Sequence, residues 1–373
     1  MSQYILAHTS NTDWQVALQQ CIQQLKANDA SKNSTLAFIY VTDAYASHFK
    51  KIVAELETYF PDVDWLGTIG LSICVTNIEY ADQPAMAILL TDIDKANYSV
   101  FKEQIEVEEN LQQSDVQFAI VHGDPRNPLL TEQLETLAET IEPGYLVGGL
   151  TSAHNYYYQY AGNSNNAGGI TEGGLSGVIF KSSSNVMTGL SQGCTPISRV
   201  HTLTECDHHM ALSIDKRPAL DVFKEDIGEI LARDINRAAG YIFAGLLVPG
   251  SDTGDYLVRN IVGIDPDNHY LAIADDLQPD TPIMFCKRDS QTAIEDLKRM
   301  LNSLKARLDG RKPKGALYVS CLGRGQHMFG EVSNEMKYIT EILGDIPMIG
   351  FYANGEIAGQ KLYGFTGVLT LFL

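Results

Sequence analysis

The residues best suited to chemistry follow two strand-like segments near the end of the chain. The apolar run Gly315-Ala-Leu-Tyr-Val-Ser-Cys321 is followed by Gly323-Arg-Gly325, and the run Pro-Met-Ile-Gly-Phe-Tyr-Ala-Asn-Gly-Glu-Ile ends at Ile357. Each predicted strand is therefore followed by a glycine-containing turn that carries one charged side chain, Arg324 or Glu356. Polar groups on turns at strand ends are typical of ligand sites in α/β proteins.

The charged residues of these turns suit a small ionic ligand. A guanidinium group binds a carboxylate through two parallel hydrogen bonds, a role open to Arg324 and to Arg259. Glu356 is suited to a ligand ammonium group, so the two charges together would fit an amino acid. The alternative is internal pairing of Arg324 with Glu331 or Glu356, because a buried arginine serves both uses. Glu356 has a second alternative role as an acceptor for backbone N–H groups.

Cys321 lies where a reactive thiolate would be placed, beside a glycine turn and an arginine. A nucleophile also needs a base and a group that orients the base, and no cysteine–histidine signature accompanies Cys321. We therefore predict that the protein is not an enzyme. An enzyme that uses Cys321 or Glu356 remains the alternative, and a buried structural cysteine is the plainer interpretation of this residue.

A weak repeat of strand, helix, short strand and glycine occurs three times. The first strands of the repeats are Leu36–Val41, Val116–Val121 and Gly315–Ser320, and the following glycines are Gly67, Gly148 with Gly149, and Gly350. A strand–helix–strand connection of this length makes the two strands parallel. We expect an α/β fold of two related halves with mixed, largely parallel sheets and helices outside, packed as one compact unit.

The composition excludes several classes of protein. The chain has 373 residues, 45% of them hydrophobic, and a formal net charge of −19. An acidic chain lacks the basic surface that nucleic acids and anionic membranes require, so neither is expected as a partner. Its apolar runs are far shorter than the roughly 20 residues that span a bilayer. The six cysteines form no CxxC or zinc-like pattern and no signal peptide is visible, which together favour the cytoplasm.

Five motifs in order resemble the FIST family, sensory domains named for F-box and intracellular signal transduction proteins. The first part contains Gly-Tyr-Leu-Val-Gly-Gly-Leu-Thr-Ser152, Gln-Gly-Cys-Thr-Pro-Ile197 and Ile-Asp-Lys-Arg-Pro-Ala-Leu220, and the later part contains Val-Arg-Asn-Ile-Val-Gly-Ile-Asp265 and the Cys321 to Ile357 pattern. Ser198 and Lys216 stand where the family usually has glycine. Gly364 and Phe365 replace a histidine–asparagine pair that often precedes the last strand.

The resemblance implies a FIST N-like domain over residues 1–210 and a FIST C-like domain over residues 215–373. It also implies a cytosolic sensor that binds a small ligand and regulates a partner in trans. Similar proteins act as input modules for histidine kinases or cyclic-dinucleotide enzymes, and we expect such a partner here. The resemblance and the glycine and charge patterns together predict the ligand-binding residues, which are Gly148, Gly149, Arg259, Cys321, Arg324, Gly325, Asn354, Gly355 and Glu356.

A haem-binding nitric-oxide sensor is the alternative function, because one branch of the family is of that kind. Haem needs only one axial histidine. The candidates are His154, on the first glycine loop, and His327, after the Arg324 turn. Each is equally readable as an ordinary surface or cap histidine, and no other cofactor is expected.

Overall fold

The computed structural model describes residues 4–102, 116–141, 145–163, 168–181, 185–232, 241–248 and 256–373. The chain forms two compact units. The first unit contains Met1–Gln192 together with Ile294–Leu373, and the second contains Gly193–Ala293. The described strands are β1–β26 and the described helices α1–α7, in chain order.

The first unit contains three six-stranded sheets. The first sheet has the order β1 (Ile5–Ser10), β6 (Ala85–Thr91), β2 (Leu36–Thr42), β3 (Asp64–Gly70), β10 (Gln159–Gly162) and β11 (Gly169–Thr171). The second has the order β7 (Tyr98–Lys102), β12 (Leu175–Lys181), β8 (Val116–Gly123), β9 (Tyr145–Leu150), β24 (Glu356–Ala358) and β25 (Lys361–Tyr363). The third has the order β13 (Val186–Gln192), β26 (Thr366–Phe372), β22 (Gly315–Cys321), β23 (Met348–Ala353), β4 (Ser72–Val75) and β5 (Ile78–Ala81).

These three sheets are built in the same way. Each has one parallel pair, β2 with β3, β8 with β9, or β22 with β23, and the first strand of that pair also lies antiparallel to β6, β12 or β26. Each sheet is completed by a hairpin from a different repeat. Hairpin β4–β5 joins β23, hairpin β10–β11 joins β3, and hairpin β24–β25 joins β9. The three repeats therefore exchange hairpins in a closed cycle.

A glycine in the second parallel strand of each repeat permits close strand approach. A Cβ atom at Gly67, Gly148 or Gly350 would lie 2.1, 1.9 or 1.8 Å from a backbone oxygen of the parallel partner strand. Such distances are far below van der Waals contact, so only glycine fits at these points. The repeat seen in the sequence thus marks a packing requirement that recurs in all three sheets.

Helices with an apolar stripe cover the sheets of the first unit, because their buried residues recur every three or four positions. The buried stripe of the second helix, for example, consists of Phe49, Ile52, Val53 and Leu56. The helices with such a stripe are α1 (Trp14–Lys26), α2 (Phe49–Tyr59), α3 (Leu130–Thr140), α5 (Ser290–Leu308, whose first residues belong to the second unit) and α7 (Asn334–Leu343). Helix α6 (Gln326–Phe329) is a single turn. Short 3₁₀ turns span Asp29–Asn33, Asp43–His48 and Lys95–Asn97.

The second unit is a small barrel. Its strands follow the order β21 (Pro282–Arg288), β15 (His201–Asp207), β16 (Met210–Ile214), β20 (Tyr270–Ile273), β19 (Tyr256–Asp265) and β18 (Ile242–Leu247), and β18 pairs with β21 to close the ring. Strand β14 (Cys194–Pro196) extends β21, and β17 (Arg217–Pro218) extends β16. Helix α4 (Ala219–Ala232) buries Leu220 and Phe223 in the core of this unit and has a non-helical break at Gly228 (φ 75°).

The observed architecture confirms the α/β class with mixed sheets and refines two expectations. Among the described strands, parallel pairing is confined to the three strand–helix–strand repeats, and the other pairs are antiparallel. The expected two related halves are replaced, in the first unit, by three equivalent sheets.

The predicted division between residues 210 and 215 falls within β16 of the second unit, and as a boundary between sequence modules it stays a prediction. In the part of the chain that the structure describes, no helix combines the length and the apolar character required to cross a membrane.

Candidate functional site

Three chain segments that the sequence marked as glycine turns meet in the first unit. The Leu150 N–H donates to Gly355 O over 2.9 Å, and the Asn354 N–H donates to Leu150 O over 3.0 Å. The Leu322 N–H, directly after the strand that ends at Cys321, donates to Ala353 O over 3.1 Å. The ends of β9, β22 and β23 and the start of β24 therefore lie together, because the hairpin β24–β25 crosses to the sheet of β9.

Arg324 is a buried ion-pair residue. Its Nε donates to Glu335 Oε1 over 2.7 Å, and the side chains of both residues are fully buried. The remaining guanidinium nitrogens lie within 3.3–3.4 Å of Ser191 O, Ser191 Oγ and Phe365 O. The guanidinium also lies over the Phe329 ring, 5.1 Å from its centroid. The internal pairing considered from the sequence is present, although its partner is Glu335 rather than Glu331 or Glu356.

Glu335 collects a dense set of hydrogen-bond donors around this pair. Tyr318 Oη donates to it over 2.7 Å, and Ser320 Oγ and Tyr352 Oη lie 3.1 and 3.4 Å from Oε2. Glu335 is the second residue of α7, and a carboxylate at a helix N-terminus is favoured by the helix dipole. A buried charge needs this kind of pairing and hydrogen bonding to be tolerated. Arg324 and Glu335 thus form the centre of a satisfied polar network.

Glu356 lies at the edge of this network with one oxygen unsatisfied. The residue is fully buried. Its Oε2 accepts hydrogen bonds from Thr366 N (3.1 Å) and Thr366 Oγ1 (2.8 Å). Its Oε1 makes no hydrogen bond of ordinary geometry to any described residue. Burial raises the pKa of Glu356 to about 8, although the Thr366 hydrogen bonds, the charge of Arg324 and a contact with the Cys321 thiol act in the opposite direction.

Arg324 and Glu356 contact two adjacent residues of the chain. Arg324 donates to Phe365 O, and Glu356 accepts from the next residue, Thr366. Phe365 has a positive φ of 60°, which is uncommon for a bulky residue and marks a tight local turn. This turn therefore joins the two charged groups into one cluster.

Cys321 borders Glu356 and keeps partial solvent exposure. The Gly323 N–H points at its Sγ over 3.4 Å. Burial and the nearby Glu356 charge both raise the pKa of the Cys321 thiol. A reactive cysteine requires the opposite shift, because the thiolate is the nucleophile. The geometry therefore favours a neutral thiol at this position.

The predicted glycines serve backbone geometry. A Cβ atom on Gly149 would lie 2.6 Å from Val319 Cγ1 and 2.7 Å from Ala353 Cβ. Gly325 has φ 59° and Gly355 has φ 131°, values that other residues rarely adopt. Asn354, directly before Gly355, is exposed. The role of these residues in binding a ligand stays a prediction.

Arg259 belongs to the second unit, on β19. Its Nε donates to Asp275 Oδ2 over 2.6 Å, and 16% of its side chain is exposed. The guanidinium also donates to Val258 O over 3.2 Å. Arg259 is thus engaged locally, and its expected ligand role stays a prediction.

Neither histidine considered for haem lies in surroundings that suit it. His154 leaves 72% of its side chain exposed, and its Nδ1 pairs with Asp43 Oδ2 at 2.7 Å. His327 is exposed on the single turn of α6. A protein holds haem by enclosing the apolar macrocycle as well as by ligating the iron, and two surface imidazoles supply no such enclosure. The described surroundings of His154 and His327 therefore do not favour haem, and haem binding stays a prediction.

Sequence reasoning missed Glu335, Thr366 and a further buried acid, Glu79. Glu79 is 3% exposed, its N–H donates to Ser333 Oγ over 2.9 Å, and its Oε1 has no hydrogen-bond partner among the described residues. Burial, and then the charge of Glu335, raises the pKa of Glu79 to about 7. The position of Glu335 in the first turn of a predicted helix, 11 residues after Arg324, was the available signal for the ion pair.

The chain is similar in sequence to several curated mycobacterial proteins. It is 33% identical over 211 residues to an uncharacterized protein of Mycobacterium tuberculosis strain H37Rv, and the match covers 54% of each chain. It is 35% identical over 195 residues to an uncharacterized protein of Mycobacterium bovis, and that match covers 49% of this chain and 50% of the relative. The chain spans about half the length of the curated relatives it matches.

A solved structure described as "Cyanuric acid hydrolase: evolutionary innovation by structural concatenation" overlaps the whole of both chains, with 7% identity and a TM-score of 0.33. That TM-score is too low to carry an argument. Family models are more informative, because the FIST N domain matches residues 35–217 and the FIST C domain matches residues 219–359. Together these matches cover most of the sequence, and the chain belongs to the FIST family of signal-transduction sensor domains.

Proposed function

We propose that this protein is a cytosolic sensor that binds a small polar ligand at Glu356 and passes its state to a partner protein. Membership of a sensor family supports the general role. The observation that carries the ligand site is the unsatisfied Oε1 of a fully buried carboxyl group. An unpaired buried polar atom costs about 1–3 kcal/mol, and a hydrogen bond from a bound ligand would remove that cost.

The surroundings of Glu356 suggest what the ligand offers. With its pKa raised to about 8, the group is mostly neutral at pH 7 and can both donate and accept a hydrogen bond. A ligand amine or amide group suits this carboxyl, and an ammonium group would draw it into its charged form. The partly exposed residues beside it, Cys321, Gly323 and Phe365, form the approach from solvent.

A ligand carboxylate on Arg324 receives less support. The guanidinium already bonds Glu335, Ser191 and Phe365, so a carboxylate would have to displace a buried partner. Removing one partner of a buried ion pair costs about 3–5 kcal/mol. An amino acid therefore stays in the proposed ligand class through its amino group.

We further propose that the protein has no catalytic activity and that its partner is a histidine kinase or a cyclic-dinucleotide enzyme. The raised pKa of Cys321 supports the first part, because it disfavours a nucleophilic thiolate. The proposed partner rests on the family resemblance. All six cysteines are free, which is consistent with the proposed location in the cytosol, because the cytosol is a reducing environment.

The test begins with native mass spectrometry of the purified protein, which weighs any small molecule that it retains. A matched set of L-alanine, ethylamine and propionate is then titrated by calorimetry. We expect alanine and ethylamine to compete with the retained molecule and propionate to have no effect. Glu356→Gln should reduce binding at least about tenfold, as expected for one charge-assisted hydrogen bond.

Glu79→Gln is the matched control, because Glu79 is also buried with one unbonded oxygen but contacts a different part of the network. It should leave ligand affinity unchanged. Binding of propionate alone, or equal affinity in Glu356→Gln and the natural protein, would contradict the proposed site.

A further inference from the structure

The second unit contains a histidine with a carboxylate on each side of its ring. His201 Nδ1 lies 2.8 Å from Asp215 Oδ2, and His201 Nε2 lies 2.8 Å from Asp226 Oδ2. Only 3% of the His201 side chain is exposed. We call these three residues the His201 cluster. None of them belongs to the ligand site proposed above.

The His201 cluster joins three separate elements of the barrel unit. His201 is the first residue of β15, Asp215 lies in the turn between β16 and β17, and Asp226 lies on α4. Asp215 is held in place by the Thr202 N–H, which donates to its Oδ1 over 2.9 Å, and by Arg199, 3.0 Å from its Oδ2. The cluster thus fastens the helix and the turn to the same strand end.

The two ring nitrogens of His201 each face a carboxylate oxygen, an arrangement that a neutral imidazole cannot satisfy by itself. A neutral imidazole has one N–H donor and one bare nitrogen acceptor. Between two ionised carboxylates, the bare nitrogen would face a carboxylate oxygen at 2.8 Å with no hydrogen between them. The cluster is satisfied only if it holds one more proton, on the imidazole ring or on a carboxyl group.

The carboxyl groups differ in a way that agrees with this count. The hydrogen bond with His201 lowers the pKa of Asp215, whereas burial raises the pKa of Asp226 despite the neighbouring His201. Asp215 therefore favours its ionised form, so the extra proton lies on the Asp226 carboxyl group or in the hydrogen bond between that group and the ring. In either position it completes both hydrogen bonds.

We propose that the His201 cluster is a proton-dependent clamp that holds α4 on the barrel and loosens when the extra proton is lost. The other charged groups that face it are Arg199 beside Asp215 and Glu225 beside Asp226, with Glu225 paired to Arg217 at 2.7 Å. Glu225 favours retention of the proton and the arginines oppose it.

The position of the clamp gives it a regulatory character. His201 and Asp215 fall in the part of the chain that matches the FIST N domain, and Asp226 falls in the part that matches FIST C. The helix is interrupted at Gly228, two residues after Asp226. A proton therefore controls a contact between the two family segments next to a built-in break in the helix.

Asp226→Asn is the decisive variant, because an asparagine amide can donate to the bare nitrogen of a neutral ring. In the natural protein, the loss of one proton lowers the stability of this contact as pH rises. The protection of the amides of residues 219–228 against hydrogen exchange, corrected for intrinsic rates, should therefore fall by up to about tenfold per pH unit. In Asp226→Asn this dependence should disappear. The measurement is hydrogen exchange by mass spectrometry between pH 6 and pH 9.

Asp221→Asn supplies the control on the same helix. Asp221 contacts only one ring nitrogen, Nδ1 of the half-exposed His269, at 2.7 Å among the described contacts. This variant should keep the pH dependence of the natural protein. If Asp226→Asn fails to fold, NMR of ¹⁵N-labelled histidine and ¹³C-labelled aspartate in the natural protein counts the protons directly. A neutral ring between two ionised carboxylates at pH 6.5, or an unchanged pH dependence in Asp226→Asn, would overturn the proposal.

Discussion

Arg324 and Glu335 form a fully buried ion pair, with Nε and Oε1 2.7 Å apart. The pair ties the turn after β22 to the start of α7. Because the carboxylate is also bonded by Tyr318, Ser320 and Tyr352, the pair anchors a network rather than a single contact. Its first role is therefore in the stability of the first unit.

The ion pair predicts a large effect of removing one partner. Glu335→Gln should lower the free energy of unfolding of the first unit by about 3–5 kcal/mol, because Arg324 would remain charged and buried. Urea unfolding followed by tryptophan fluorescence measures this change, since Trp14 and Trp65 both lie in the first unit. Arg299→Ala is the control: its pair with Asp296 is half-exposed, and its loss should cost less than about 1 kcal/mol. Similar effects of the two substitutions would contradict the buried network.

Glu356 predicts a pH dependence of opposite sign to that of an ordinary surface carboxylate. Its pKa is about 8 in the folded protein and near 4.5 when unfolded, so folding takes up a proton between these values. Stability should fall as pH rises from about 4.5 to about 8, with a slope of up to about 1.4 kcal/mol per pH unit from this group. Glu356→Gln should remove this contribution of one proton, so the slope of unfolding free energy against pH, measured by urea unfolding, should fall by up to about 1.4 kcal/mol per pH unit. An unchanged slope would show that Glu356 is ionised in the folded state.

Cys321 should report the charge of Glu356 through its reactivity. Because that charge raises the thiol pKa, Glu356→Gln should increase the rate of Cys321 alkylation by iodoacetamide at pH 9. At pH 6, where Glu356 is neutral, the two proteins should react at similar rates. Mass spectrometry of the modified peptide gives both rates, and Cys206, in the second unit, serves as the internal control. A faster reaction of Cys206 in the variant, or no change at Cys321, would count against the proximity of the two groups.

The glycines of the parallel strands should not tolerate a side chain. Gly350→Ala would place a Cβ atom 1.8 Å from Tyr318 O, so the strands must separate. We expect a loss of more than about 2 kcal/mol, as in severe overpacking. Gly169→Ala is the matched control, because the nearest atom to its Cβ is the flexible Lys102 Nζ at 3.1 Å. Denaturation midpoints of the two variants should therefore differ clearly, and equal midpoints would refute the close approach.

Local pattern in the sequence was sufficient for much of the fold. The repeated order of strand, helix, short strand and glycine predicted α2, α3 and the three parallel strand pairs. These features depend on neighbours a few residues apart or on one short crossover, which is why a single chain reveals them. The family motifs likewise identified the sensor class before any contact was known.

Tertiary structure alone decided which repeats exchange hairpins and which charge meets Arg324. The exchange brings Glu356 beside Gly149 of β9, a residue far away along the chain, and no local pattern specifies such a pairing. Arg324 pairs with Glu335 rather than with Glu331 or Glu356, because the first turn of α7, which carries Glu335, is buried in the core. The same limit explains the His201 cluster, since the sequence shows a histidine and two aspartates but only the closed barrel places both carboxylates on one ring.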